Sequence, residues 1–147
     1  MPKVLVVYHS QSGNTEKMAN ALAQGAQEAG VSVVVKRGLE AGPEDLLACD
    51  ALAIGSPDYF SYMAGGMKDF FDRCYYPVQG KVTGKPCAVF GSAGGPPSKV
   101  IGTLLAMVKA FKFSLVGEPV GAGGTPGEEI LQECRSLGRQ LAAASGG

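Results

Sequence analysis

Short apolar runs alternate with apolar stripes at helical spacing from one end of the chain to the other, and that rhythm restricts the fold more than any single motif. Val4-Leu5-Val6-Val7-Tyr8 is unbroken, the pattern of a parallel strand covered on both faces. After Thr15, residues Met18, Leu22 and Ala26 recur at i, i+4 and i+8 beside Ala19 and Ala23, and Gly30 stands at a predicted helix C′. Val31 to Val35 predicts a second strand, Glu44 to Ala48 a short helix after Pro43, and Ala51 to Ile54 a third strand. The second half keeps the beat. Met63, Met67, Phe70 or Phe71 and Cys74 make a helical stripe, and Pro86 to Phe90 reads as strand four. Val100 or Ile101, Leu104 or Leu105, Val108 and Phe111 follow as another helix face. Phe113 to Val120 reads as strand five, placed at a sheet edge by Gly117 and Pro119. Thr125-Pro126-Gly127-Glu128 has capping-box spacing with Pro at N1, opening a helix with Ile130, Cys134, Leu137 and Leu141 inward. Repeated βα units without a composition break predict one α/β domain over residues 1–144, with 145–147 as a flexible tail.

At 147 residues the chain is long enough to bury roughly 68–70% of its unfolded surface without disulfides or metals. Thirteen basic residues balance thirteen acidic ones, so no bulk charge recruits nucleic acid or an anionic membrane. No apolar run approaches a membrane span, and Met1-Pro2-Lys3-Val4 leads into a strand pattern rather than a signal peptide, so a cytoplasmic protein is expected. Cys49, Cys74, Cys87 and Cys134 form no C-x-x-C pair and fit buried free thiols better than bridges. A single histidine excludes a multi-histidine metal centre, and no G-x-S-x-G elbow holds a nucleophile for a triad on His9. Glycine, at 22 residues, is about twice its average usage.

Parallel sheets of this kind bind ligands beyond the C-terminal ends of their strands, so function is sought in the loops after strands one, three and four. The first is Ser10-Gln11-Ser12-Gly13-Asn14-Thr15, with hydroxyls at 10, 12 and 15, a side-chain amide at 14 and a glycine where the backbone bends into a helix. Its peptide N–H groups and the helix N-terminus make an anion cradle, although Ser, Asn and Thr also suit a plain N-cap turn. No Lys or Arg lies between His9 and Lys17, so dipoles and hydroxyls are expected to neutralise a bound phosphate. Other nucleotide loops fit poorly. No G-x-G-x-x-G follows strand one, and near Gly84-Lys85 a Walker motif fails because Pro86 replaces Ser/Thr and Gln79 replaces the first Gly. A response-regulator receiver needs acids after strand one and an Asp at strand three, where His9 and Ser56-Pro57 stand instead.

Ser-Gln-Ser-Gly-Asn-Thr resembles the [ST]-x-[ST]-G-x-T phosphate loop of flavodoxin-like FMN proteins. Gly55-Ser56-Pro57-Asp58-Tyr59-Phe60, followed by Gly66-Met67-Lys68-Asp69-Phe70-Phe71-Asp72-Arg73, is similar to WrbA-type NAD(P)H:quinone oxidoreductases, and Gly91-Ser92-Ala93-Gly94-Gly95 stands in the family's position after strand four. The resemblance spans essentially the whole chain. It implies a flavodoxin-like doubly wound sheet of five parallel strands, order 2-1-3-4-5, with helices on both faces. It also implies that Ser10, Gln11, Ser12, Gly13, Asn14 and Thr15 hold the phosphate of FMN. Ser56, Pro57, Asp58, Tyr59 and Phe60 would line one side of the isoalloxazine, and Ser92, Ala93, Gly94 and Gly95 would meet its pyrimidine edge through backbone groups. A planar ring needs an apolar or aromatic wall, and small residues let main-chain donors reach its carbonyls. Tyr59 and Phe60 also fit simple loop packing, and Asp58 fits a solvated turn acid as well as a flavin contact.

Two functions follow from the resemblance: a flavodoxin-type carrier between redox partner proteins, or an enzyme moving electrons from NAD(P)H to a quinone or similar small acceptor. In both, the flavin carries the chemistry and no side chain is assigned a catalytic role. Three features favour the enzyme. The charge is balanced, whereas carriers of the family are typically acidic. Gly94-Gly95-Pro96-Pro97 offers no aromatic to close the second face of the ring, and Pro57-Asp58-Tyr59 lacks the glycine that carriers often place beside it. WrbA proteins are longer and carry a tetramer-forming insertion for which this chain has little room. Tyr62, Met63, Tyr75 and Tyr76 permit a homodimer or belong to the helix core, and His9 fits either a phosphate donor or a strand-end packing group.

Overall fold

The computed structural model describes residues 1–146, and Gly147, the last residue of the expected tail, lies outside them. Along the chain run β1 (Lys3–Tyr8), α1 (Asn14–Glu28), β2 (Ser32–Arg37), α2 (Pro43–Ala48), β3 (Ala51–Tyr59), β4 (Tyr62–Met63) and α3 (Gly65–Val78). Then follow β5 (Pro86–Ala93), α4 (Ser98–Ala110), β6 (Ser114–Leu115), β7 (Val120–Gly123) and α5 (Glu128–Ser145). The central sheet is parallel and ordered β2-β1-β3-β5-β6, with β7 also on β5. Counted as five positions this is the expected 2-1-3-4-5, with the switch between β1 and β3 where strand order reverses.

The edge expected as one strand over 113–120 is broken in two. Ser114 and Leu115 pair with the start of β5, and Val120 to Gly123 pair with its last four residues. Gly117, at φ 66, and Pro119 occupy the gap, the two residues that weakened the strand in sequence. α5 also starts later than its capping box predicts: Gly127 is the N-cap, no side chain caps it, and Thr125 stands outside the helix. At its other end it continues through Ser145, whose hydroxyl donates to the Ala142 carbonyl at 2.7 Å.

Strand periodicity divides the core into two layers. Leu5, Val7, Leu52, Ile54, Cys87 and Val89 face α2, α3 and α4 and pack with Leu46, Met67, Phe70, Phe71 and Leu104. Val4, Val6, Tyr8, Ala51, Ala53, Ala88 and Phe90 point the other way, onto Met18, Leu22, Leu137 and Leu141 of α1 and α5. The second layer is thin because two helix backbones touch. A Cβ on Gly138 would lie 2.0 Å from the Leu22 carbonyl oxygen, and one on Gly25 would lie 2.0 Å from that of Arg135. Part of the glycine excess is thus a packing requirement. All four cysteines are buried free thiols, and burial pushes Cys49 and Cys74 up to about 11 and Cys134 to about 12. Such thiols are poor nucleophiles and metal ligands at neutral pH. Met63 is buried and Tyr75 packs against the core, while Tyr62 and Tyr76 are exposed. Among the described residues, no helix is long and apolar enough to cross a membrane.

Candidate functional site

β1 delivers the chain to the sheet's C-terminal end at Tyr8, and α1 begins at Asn14. The turn between them depends on Gly13, which caps the helix at φ 100, a conformation that costs an L-residue roughly 1–2 kcal/mol. The Ser10 hydroxyl accepts from the Gly13 N–H at 3.1 Å and so closes the turn with the loop's own side chain. Among the described residues, nothing accepts from the amides of Asn14, Thr15 and Glu16, the free donors that open a helix. A Cβ at Gly13 would meet nothing within 4 Å, so the space over the turn is open.

Among the described residues, the buried polar side chains are Ser10, Thr15, Ser56 and Ser92, at 9, 1, 0 and 3% exposure. All four stand at or just beyond the C-terminal ends of β1, β3 and β5. Hydroxyls withdrawn from water need partners, and these find them across the loops. Thr15 Oγ1 and Ser92 Oγ lie 2.7 Å apart, joining the first loop to the end of β5. Ser56 Oγ accepts from the Ala64 N–H at 2.8 Å and donates to the Pro57 carbonyl at 2.8 Å, tying β3 to the start of α3.

The second and third segments expected as loops are strand extensions for most of their length. Ser56 and Pro57 pair with Gly91 and Ser92, and Ser92 and Ala93 pair with Ala122 and Gly123. Gly55 is required inside this sheet, because a Cβ there would lie 2.1 Å from the Phe90 ring. β3 then turns back on itself into β4 through Phe60 and Ser61, at φ 58 and φ 65. A two-residue turn with positive φ at both positions is of type I′ and normally uses Asn-Gly, so no sequence signal marked this one. The Asp58 carboxylate accepts from the Ser61 N–H at 2.7 Å and holds the turn.

These elements enclose an open cleft. Ser12, Asn14, Pro57, Asp58, Tyr59, Ser92, Ala93 and Gly94 line it, and Gly124 joins them from beyond β7. A recess continues from the shared residues Asp58, Ala93 and Gly94 to Ser61, Gly95, Pro96, Ser98 and Lys99. Ser10 and Ser56 brace the walls from behind, and Gly13 and Thr15 belong to the cradle at the start of α1 rather than to this lining. Two further expected residues belong neither to the lining nor to its supports: Gln11 is exposed, and the ring of Phe60 stands fully in solvent at the hairpin tip. Tyr59, the aromatic beside it, supplies the wall.

The electrostatics of the first loop are not those its sequence implies. Arg37, the last residue of β2, reaches over and donates through Nη1 to the Ser10 carbonyl at 2.9 Å and through Nη2 to Glu16 Oε2 at 3.3 Å. Its guanidinium carbon lies 5.2 Å from the Tyr8 ring centroid, and the Tyr8 hydroxyl donates to the same Glu16 oxygen at 2.9 Å. The loop therefore has a cation beside it, from another strand. Burial raises the Tyr8 hydroxyl pKa, with the Glu16 hydrogen bond adding to it. Burial and then Arg37 lower the His9 pKa, keeping the imidazole neutral. His9 packs edge-on to Tyr59 at 5.9 Å, and a Cβ on Gly66 would meet its Nδ1 at 2.5 Å. It is wedged between the first two loops.

A doubly wound sheet whose strand ends converge on a free helix N-terminus and an open cleft has the architecture in which α/β proteins bind mononucleotides. The flavodoxin family profile matches residues 6–138. A flavodoxin of Aquifex aeolicus is 37% identical, over 97% of this chain and 86% of its own. An NAD(P)H dehydrogenase (quinone) of Archaeoglobus fulgidus is 32% identical, over 97% of this chain and 96% of its own. That alignment runs to 186 positions against 147 residues here, so the relative holds insertions this chain lacks. Among solved structures, a flavodoxin from the domain Archaea superposes with a TM-score of 0.87 at 29% identity, covering 99% of both chains. A WrbA-like flavodoxin of Agrobacterium tumefaciens shares the fold, with a TM-score of 0.83 at 23% identity over 99% of this chain and 98% of that one. The chain belongs to the flavodoxin family.

Membership implies FMN, and the residues present fit it. The open cradle over Gly13, with its unpartnered amides and the hydroxyls of Ser12 and Thr15, suits a phosphate. The slot between Tyr59 and the side-chain-free backbone of Gly94 suits a flat ring.

Proposed function

We propose that the protein is an FMN-dependent oxidoreductase that passes electrons from NAD(P)H to a quinone or similar small acceptor. The single observation that carries this reading is the unclosed side of the cleft. One wall holds Tyr59, while the opposite wall is Ala93, Gly94 and Gly95, and Phe60 points into solvent rather than over the slot. Bound FMN supplies hydride and electron transfer. Ser12, Asn14 and Thr15 would hold its phosphate, Pro57, Asp58 and Tyr59 would support one ring face, and backbone groups of Ser92 to Gly95 would meet the ring edge. The recess running to Ser98 and Lys99 leaves room for a second planar molecule to stack, as hydride transfer at about 3–3.5 Å requires.

The second reading is an electron carrier between redox proteins. It is favoured by the 37% identical relative named flavodoxin and by an archaeal flavodoxin that matches end to end. The two readings separate in one experiment. FMN-loaded protein is mixed anaerobically with NADH or NADPH in a stopped-flow instrument, and flavin bleaching is followed before a quinone is added. The enzyme reading expects bleaching by a pyridine nucleotide and recovery of absorbance on quinone addition. No bleaching by either nucleotide, with reduction by a partner reductase, makes the protein a carrier.

A further inference from the structure

Glu16 is an acid in the first turn of α1, the turn that opens onto the cradle. A carboxylate there suits the helix dipole but repels an incoming phosphate, so its neutralisation matters to any anion that binds. The chain neutralises it from two sides. Arg37 Nη2 is 3.3 Å from Glu16 Oε2, and the Tyr8 hydroxyl donates to the same oxygen. The guanidinium is held over the Tyr8 ring and spends Nη1 on the Ser10 carbonyl, so its position is set by three contacts. Carbonyls point away from an anion cradle and amides into it. By binding the Ser10 carbonyl from behind, Arg37 also fixes the peptide that starts the loop.

We propose that Arg37 is a positioning residue for the phosphate group, cancelling the charge of Glu16 so that the first turn of α1 meets a phosphate dianion as a neutral rather than a negative site. It touches the loop and not the ligand. The inference rests on the FMN reading, and it makes Arg37 a determinant of the preference for FMN over riboflavin, which has the same ring without the phosphate.

The test titrates flavin-stripped protein with FMN and with riboflavin, following flavin fluorescence, for wild type, Arg37→Gln, Glu16→Gln, the double variant and Arg37→Lys. Arg37→Gln is expected to weaken FMN about tenfold, from one uncancelled charge acting on a dianion across a partly solvated gap, and to leave riboflavin unchanged. Glu16→Gln is expected to tighten FMN about threefold, and the double variant to return within about threefold of wild type, because the charge to be cancelled has gone with its partner. Arg37→Lys, which keeps the charge, should stay near wild type, and the Arg37→Gln defect should shrink at high salt. A double variant as weak as Arg37→Gln, or a Glu16→Gln variant that binds FMN less well, would overturn the charge-cancelling role. Equal loss of FMN and riboflavin affinity in Arg37→Gln would do the same. Wild-type protein that binds neither flavin would remove the FMN reading itself, an outcome visible before any variant is compared.

Discussion

The two ends of the cleft are built on opposite plans. At the first loop three cross-links hold the frame around the free amides: Ser10 to Gly13, Thr15 to Ser92 and Arg37 to the Ser10 carbonyl, backed by β1 inside the sheet. At the hairpin end, β3 leaves the sheet for a two-residue turn with both residues at positive φ and an aromatic ring in water. One end is preorganised and the other is open to solvent. Affinity follows from the first, because donors already aimed need no ordering on binding. On the proposed function, choice of electron partner would follow from the second, where the cleft stays open.

The comparison is broken most directly at its rigid end. Thr15→Val keeps the side-chain volume and removes the hydroxyl that meets Ser92. It leaves the Ser92 hydroxyl buried without its partner, a loss of about 1–3 kcal/mol in urea unfolding of the flavin-free protein. On the FMN reading it also removes a donor to the charged phosphate, so FMN affinity measured by calorimetry should fall about thirtyfold, from a charge-assisted bond of about 2 kcal/mol. Unchanged affinity with the expected loss of stability would show that Thr15 braces the loop and does not hold the ligand.

The same contrast explains what could be read from sequence. The first loop was legible because its parts are contiguous: a strand run, six residues of turn and cradle, then a helical stripe. The layered sheet was legible for a similar reason, since period-two and helical patterns are local. What escaped needed contacts between distant positions or turn residues of the wrong type. Arg37 sits 27 positions from Ser10 and looks like any charge at a strand end until β2 is paired beside β1. The β3–β4 hairpin was invisible because Phe60-Ser61 lacks the usual glycine. Thr125 misled for the opposite reason: it has the spacing of a cap, but the chain enters α5 through Gly127. Gly25 and Gly138 carry no local signal of their role, which is to let α1 and α5 touch.

At the open end the effect expected is smaller and of opposite sign. Ser61 holds φ 65, where its Cβ crowds the backbone, and it is exposed. Ser61→Gly removes that crowding and adds some freedom to the unfolded chain, for a net gain of about 1 kcal/mol in thermal or urea unfolding. Asp58 still accepts from the residue 61 amide, so the hairpin should persist and FMN affinity should be unchanged. A destabilised variant would mean that the Ser61 side chain contributes something beyond its conformation.

The smallest effect lies between the two ends, at His9, and shows only as a slope with pH. The imidazole is wedged against Tyr59 and Gly66, and burial, with Arg37 second, holds its pKa below the ordinary 6.5. Above that value histidine is neutral in folded and unfolded chains alike and adds no pH dependence. As pH falls through 6.5 the unfolded chain takes up its proton first, so the unfolded state gains and stability drops until the folded imidazole is also protonated. The flavin-free protein should therefore lose stability between about pH 7 and pH 5, a range above the ordinary carboxylates. His9→Gln should flatten that slope even if it lowers stability at every pH, because packing loss is independent of pH and titration is not. An unaltered slope in His9→Gln would assign the acid sensitivity to another group and leave His9 as a wedge whose charge plays no part.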